Sequence, residues 1–175
     1  PTPFWVTYSE LVKIARGKVV MVRTAAAQGF KISPEQLAAA ITPKTKLFLF
    51  SSPCNPSGAV YNEKELESLV KVFEKYPDIT IISDEIYEYI NFVGNHISIA
   101  SFSSVVDRVA IVNGLSKGFA MTGWRVGYIA AAETIAKACE KIQGQFTSGT
   151  NSIAQRAAIA ALREDLKPTK EMVKE

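Results

Sequence analysis

The sequence predicts an α/β fold: a three-layer, mostly parallel, doubly wound sheet with one antiparallel strand. Three observations carry this. Apolar runs rich in β-branched or aromatic residues at 45–51, 79–83 and 109–112 have the pattern of strands buried on both faces. A helical stretch with its own start signal lies between the first two, as a parallel return requires. Between 113 and 123 there is no helical stripe and the chain is broken by glycines, so the strand at 124–130 is expected to run back antiparallel.

Each element follows from local chemistry. Two prolines in Pro1-Thr-Pro-Phe-Trp-Val-Thr-Tyr8 keep the start extended or turned until a helix begins near Ser9. Trp5 has no obvious helical partner; it is a core or interface aromatic, or a flat wall for an aromatic ligand. Residues 18–23 read as a short strand. Ser33-Pro-Glu-Gln36 is a helix start, with Ser33 as N-cap, Pro34 in the first turn and Gln36 closing a capping box, and that helix ends near Ile41. After the strand at 45–51, Ser52-Pro-Cys-Asn-Pro-Ser-Gly58 is a rigid turn that aims Asn55. Asn62-Glu-Lys-Glu65 repeats the capping box and opens a helix with Leu66, Leu69, Val70 and Phe73 on one stripe, stopped at Tyr76-Pro77.

The strand at 79–83 delivers Asp84-Glu85-Ile-Tyr87, with Asp84 the more informative carboxylate because it stands where the strand ends. His96, the only histidine, reads as a solvated loop residue beside Gly94-Asn95. Residues 101–107 connect to the strand at 109. A helix after Ala132 turns Ile135, Ala138, Cys139 and Ile142 inward, making Cys139 a small core residue. Residues 147–152 interrupt it, an alanine-rich helix covers 153–162, and Lys167-Pro168 begins another.

Composition narrows the function classes. The chain has 175 residues, enough to bury roughly 70% of its extended surface. It is 47% hydrophobic and 21% charged, an ordinary globular balance. The net charge of +3 is spread without a basic block or a cationic helix face, which argues against a nucleic-acid partner. The apolar runs are too short to cross a bilayer and no secretory signal is visible, so no membrane association is expected. Cys54 and Cys139 make neither a disulfide framework nor a metal-ligand spacing, which suits a reducing cytoplasm. Pro1 as first residue, and a charged helical segment running to Glu175 without a stop signal, lead us to expect a piece of a longer polypeptide.

In sheets of this kind ligands gather beyond the carboxyl ends of the strands. Three strands bring Asn55, Asp84 and Lys117 to that edge, and the reversed strand adds Arg125. A lysine becomes a nucleophile when burial or a neighbouring cation depresses its pKa, a condition Arg125 would supply to Lys117. Ser116 and Arg125 suit a phosphate, the arginine in a bidentate way. A carboxylate such as Asp84 keeps a pyridine nitrogen protonated. Together these parts describe a pyridoxal phosphate site: a lysine imine, an anchored phosphate and an acidic partner for the ring.

Ser52-Pro-Cys-Asn-Pro-Ser-Gly58, Ser83-Asp-Glu-Ile-Tyr87 and Ser116-Lys-Gly-Phe-Ala-Met-Thr-Gly-Trp-Arg-Val-Gly127, in this order and spacing, closely resemble the class I/II aminotransferases among fold-type I pyridoxal phosphate enzymes. Pro3-Phe-Trp-Val-Thr-Tyr8 is most similar to the bacterial aspartate aminotransferase branch. The resemblance implies that Lys117 forms the imine and moves the proton between substrate Cα and cofactor C4′. It also implies that Asp84 pairs with the pyridine nitrogen, Tyr87 and Asn55 bond the phenolic oxygen, Ser116 and Arg125 hold the phosphate, and Trp5 stacks on the ring or meets the substrate. Residues 147–155 resemble, more weakly, a segment near the family's dimer interface. Ser57 stands where threonine is commoner and keeps the hydroxyl.

The same resemblance implies that residues 1–175 are part of a large, cofactor-binding domain. The amino-terminal phosphate-gripping turn and the small domain with its carboxylate-binding arginine lie outside them, and these residues alone are expected to turn over little or nothing. The expected partners are an amino acid, a 2-oxo acid and, for the full-length protein, a second copy of itself. The rival readings are a carbon–sulfur lyase, an aminocyclopropane carboxylate synthase or an aromatic aminotransferase on the same site. A non-catalytic regulatory domain of the same fold and a structural α/β domain without ligand complete them.

Overall fold

The computed structural model describes all 175 residues. Its centre is a four-stranded sheet in the order β1 (Leu47–Ser51), β2 (Thr80–Asp84), β3 (Val109–Gly114) and β4 (Gly127–Ala130). β1, β2 and β3 are parallel; β3 and β4 are antiparallel, with Asn113 opposite Tyr128 and Gly114 opposite Gly127. The mixed sheet expected from the strand patterns is therefore present. Gly114 shows why β3 and β4 meet so closely: a Cβ there would lie 2.7 Å from the Val126 carbonyl oxygen.

Strand alternation sorts the side chains into two faces. Phe48 and Phe50 of β1, Ile81 of β2 and Val109 of β3 point to one face, where α3 (Glu63–Phe73) packs Leu66, Leu69, Val70 and Phe73 against them. Each such side chain contributes about 1.5–3 kcal/mol on leaving water. α2 (Pro34–Ala40) adds Leu37 to the same core, and Ile99 and Val105 close it from the connection between β2 and β3. On the other face, Tyr8 of α1 (Thr7–Ile14) reaches Asp84, so the sheet is the middle of three layers.

Both capping boxes form. Gln36 N donates to Ser33 Oγ, and Glu65 N donates to Asn62 Oδ1. The carboxyl end of α3 is closed by a residue the sequence did not point out: Arg108 donates to the Phe73, Tyr76 and Ile79 carbonyls at 2.8–3.0 Å. Orphan carbonyls at a helix end need such donors.

Three local expectations change. Residues 18–23 are not a strand; only Thr2 and Arg23 form an isolated bridge, because this segment lies beside the Thr2 backbone and not within a sheet. The last strand starts at Gly127 and not at Trp124, since residues 122–124 make one 3-10 turn and Arg125 takes a left-handed φ of 57°. α4 (Glu133–Phe146) buries none of its residues, so Cys139 is exposed and Ile142 lies in solvent. α5 (Ser152–Arg163) and α6 (Lys167–Lys174) follow as anticipated, and no helix is long and apolar enough to cross a membrane.

Candidate active site

The parallel register aligns the strand ends. Ser51 stands opposite Asp84, and Asp84 opposite Val112, so the turn after β1, the carboxylate of β2 and the loop after β3 leave the sheet at one rim. In the first turn Cys54 N donates to the Ala59 carbonyl at 2.9 Å and Gly58 N to the Cys54 carbonyl at 2.7 Å, which closes a tight loop around half-buried Asn55. Gly58 supplies the left-handed φ of 68° that this closure needs. Ser52 is buried under it and accepts from Tyr61 N at 3.1 Å.

At the end of β2 the two carboxylates part company. Asp84 Oδ1 accepts from Ile86 N at 3.2 Å and Oδ2 from the Tyr8 hydroxyl at 2.5 Å. Glu85 turns to the core face, where it is only 3% exposed and accepts from Ser83 and Ser98 hydroxyls at 2.8 and 2.7 Å. Its second oxygen meets His96 Nε2 at 2.8 Å. His96 is thus not a solvated loop residue but the half-buried partner of a buried carboxylate, and sequence reading missed it because the two stand 11 residues apart with no period linking them.

After β3, Leu115 is buried and its N–H donates to the Val126 carbonyl at 3.1 Å. The next residues outward on the two arms are Ser116 and Arg125. Arg125 is exposed, and its Nη1 rests on the Thr122 carbonyl at 3.0 Å. Lys117 is half-buried and places Nζ 5.8 Å from the centre of the Tyr87 ring, so the β3 loop meets the segment that carries Asp84. Gly118 lets this happen: a Cβ there would strike Tyr89 at 2.7 Å, and its carbonyl accepts from buried Thr169 of α6 at 2.6 Å.

Trp5 is 45% exposed and its ring meets Tyr8 edge-on at 5.7 Å, with Phe4 stacked on Tyr8 at 6.2 Å. Trp5 therefore does have a partner, three residues on, although it precedes the helix. Tyr8 itself escaped sequence reading; the three-residue spacing was the only available signal. Burial and the Asp84 carboxylate push its phenol well above the usual tyrosine range. The segments that carry Asn55, Asp84, Tyr87, Ser116, Lys117 and Arg125 leave the sheet at this end; the contacts that join them are Lys117 with the Tyr87 ring and, through Tyr8, Trp5 with Asp84. Arg125 also lines a hollow of about 850 Å³ with Trp124, Thr147 and Asn151, whose walls include neither Asp84 nor Lys117.

The set offers one carboxylate, one amine, a hydroxyl–guanidinium pair, an amide and aromatic surface. Such a set can accept a hydrogen bond from a ring N–H, and it has the groups to combine with a carbonyl and to bind a phosphate. Known proteins share this fold. The chain is 48% identical over 172 residues to the aspartate/prephenate aminotransferase of Nitrosomonas europaea, a match covering 94% of this chain and 42% of that protein. It is 48% identical over 174 residues to the aspartate aminotransferase of Bacillus subtilis, covering 98% and 44%. It superimposes on the crystal structure of the aspartate aminotransferase from Rhizobium meliloti with a TM-score of 0.97 at 39% identity, covering 99% of this chain and 44% of that one. An aromatic aminotransferase from Pyrococcus horikoshii gives 0.96 at 39% identity, with 100% and 48% covered. The chain thus spans less than half the length of these relatives. All of residues 1–175 match the model of aminotransferase class I and II, and with the three rim segments in place the chain belongs to that family.

Proposed function

We propose that the protein carrying this chain is a pyridoxal phosphate-dependent aminotransferase that moves an amino group between an amino acid, aspartate foremost, and a 2-oxo acid. The observation that carries the reading is the meeting of separate strands at one rim, where the Lys117 amine lies 5.8 Å from the ring of Tyr87, three residues beyond Asp84. The donor set suits the cofactor group by group. Asp84 would accept the ring N–H, Asn55 and Tyr87 would donate to the phenolic oxygen, Ser116 and Arg125 would hold the phosphate, and Trp5 would cover the ring or the substrate.

When bound, the cofactor supplies an electron sink for cleavage of a bond at the amino acid's Cα. Lys117 Nζ is the base that takes the Cα proton and later returns one. Arg125 would contribute a fixed positive charge and a planar fork of donors to the phosphate. Asp84 is held by Tyr8 and by Ile86 N, so it needs little reorganisation to meet a ring.

In this reading residues 1–175 are part of the large domain, and the full-length protein is a cytoplasmic homodimer. Exposed Ile142, Phe146 and Ile153 beside the hollow at Arg125 support a protein partner there. The named activities of the relatives support the amino-group transfer, and the likeness to an aromatic aminotransferase keeps aromatic donors in the test.

The test offers the full-length protein pyridoxal phosphate and a panel of amino acids with 2-oxoglutarate. The expected products are 2-oxo acids and glutamate, fastest with aspartate, and Lys117→Ala loses turnover by about 10⁴-fold. Release of ammonia and pyruvate, or undiminished turnover in Lys117→Ala, would overturn the reading.

A further inference from the structure

We propose that Tyr8 is a positioning residue for this reaction: its hydroxyl fixes the Asp84 carboxylate and sets how strongly that carboxylate pulls on the proton of a cofactor's ring nitrogen. The inference rests on the reading of Asp84 given above and goes beyond it, because Tyr8 need not touch cofactor or substrate.

Asp84 has both oxygens engaged by the protein. The Ile86 N–H holds Oδ1 at 3.2 Å, and the Tyr8 hydroxyl holds Oδ2 at 2.5 Å from 76 residues away in sequence. The Ile86 bond is local and leaves the carboxylate free to turn; the Tyr8 bond ties it to a different layer of the fold. Tyr8 is only 8% exposed, gripped between Phe4 and Trp5, and cannot swing off its partner without leaving the aromatic cluster. A phenol whose ionisation is pushed up by burial stays protonated at every working pH, and so it only donates to Asp84.

A permanent donor on Oδ2 draws charge from the carboxylate and makes it a weaker acceptor on its remaining side. A ring nitrogen facing it then keeps its own proton. The same cluster holds Trp5 edge-on to Tyr8, so the carboxylate and the exposed indole are positioned together.

Tyr8→Phe removes the hydroxyl and keeps the ring that packs on Phe4 and Trp5. In the full-length protein loaded with ¹⁵N-labelled pyridoxal phosphate, its ring-nitrogen resonance should move toward the unprotonated position, part of the way that Asp84→Asn moves it. kcat should fall by about tenfold with KM little changed. Fluorotyrosines at position 8, stronger donors in graded steps, should move the resonance the opposite way in order of phenol acidity. They also serve if Tyr8→Phe does not fold. A resonance that stays at its wild-type position in Tyr8→Phe, or that ignores phenol acidity, while Asp84→Asn shifts it, overturns the role of Tyr8 and leaves the cofactor reading standing. A resonance unmoved in Asp84→Asn overturns both.

Discussion

Helices α3 and α4 are written in the same amphipathic style, yet one disappears into the molecule and the other does not. The α3 stripe of Leu66, Leu69, Val70 and Phe73 is buried almost completely, whereas the α4 stripe of Ile135, Ala138, Cys139 and Ile142 contributes no buried residue. An apolar stripe states that a helix needs a neighbour; it does not state that the neighbour belongs to the same stretch of chain. The candidate site straddles this divide. Asp84 and Lys117 hang from β2 and β3, which α3 and the connection after β2 pack from behind, whereas Arg125, Thr147 and residues 149–151 look onto the open hollow beside α4 and α5. The half proposed to carry the proton chemistry is therefore packed within this chain, and the half proposed to carry the arginine of the phosphate grip stays open.

Phe73→Ala should break this contrast most severely. Phe73 is fully enclosed against Phe48, with ring centres 5.2 Å apart, and its removal should cost about 3–5 kcal/mol in chemical unfolding of the full-length protein. Phe146→Ala, at a side chain 83% exposed in this chain, should cost less than about 0.5 kcal/mol in the fold of the α3 side. Equal losses would show that the two halves fold as one unit with no packed and open division.

A smaller effect is expected behind the rim. His96→Ala strips the buried Glu85 carboxylate of its 2.8 Å partner and should cost about 1–3 kcal/mol of stability. Because Glu85 faces away from Asp84, cofactor affinity should change less than stability. A large loss of affinity with unchanged stability would place Glu85 in the site itself.

The smallest effect is a pH dependence. Burial pushes the Tyr61 phenol up to about 12 from an ordinary value of 10.0, while its oxygen accepts from Ile32 N at 2.9 Å. Between these values the unfolded chain releases the proton first and binds fewer protons than the folded one. Stability should therefore be intact below pH 10 and fall as pH rises toward 12, by about 1 kcal/mol at pH 11. Tyr61→Phe should reduce that slope, leaving the part that the raised Tyr8 phenol contributes; an unchanged slope would assign it wholly to other groups.

Much of the rim was legible because strand ends announce themselves: an apolar run stops and a polar residue of distinct chemistry follows, as at Ser83-Asp84 and Gly114-Leu115-Ser116-Lys117. Capping boxes at Ser33 and Asn62 were legible for the same local reason. Long-range pairs were not. Tyr8 with Asp84, His96 with Glu85, and Arg108 with the end of α3 join residues through the third dimension, where neither spacing nor period leaves a mark. The supposed strand at 18–23 shows the opposite error, in which β-branched residues suggested a pairing that the sheet does not provide.

Lys117 is proposed as the amine that meets the cofactor. Reducing the cofactor-loaded full-length protein with borohydride and mapping its peptides by mass should find the phosphopyridoxyl group on Lys117 alone. The group on any other lysine, with Lys117 unmodified, would contradict the assignment.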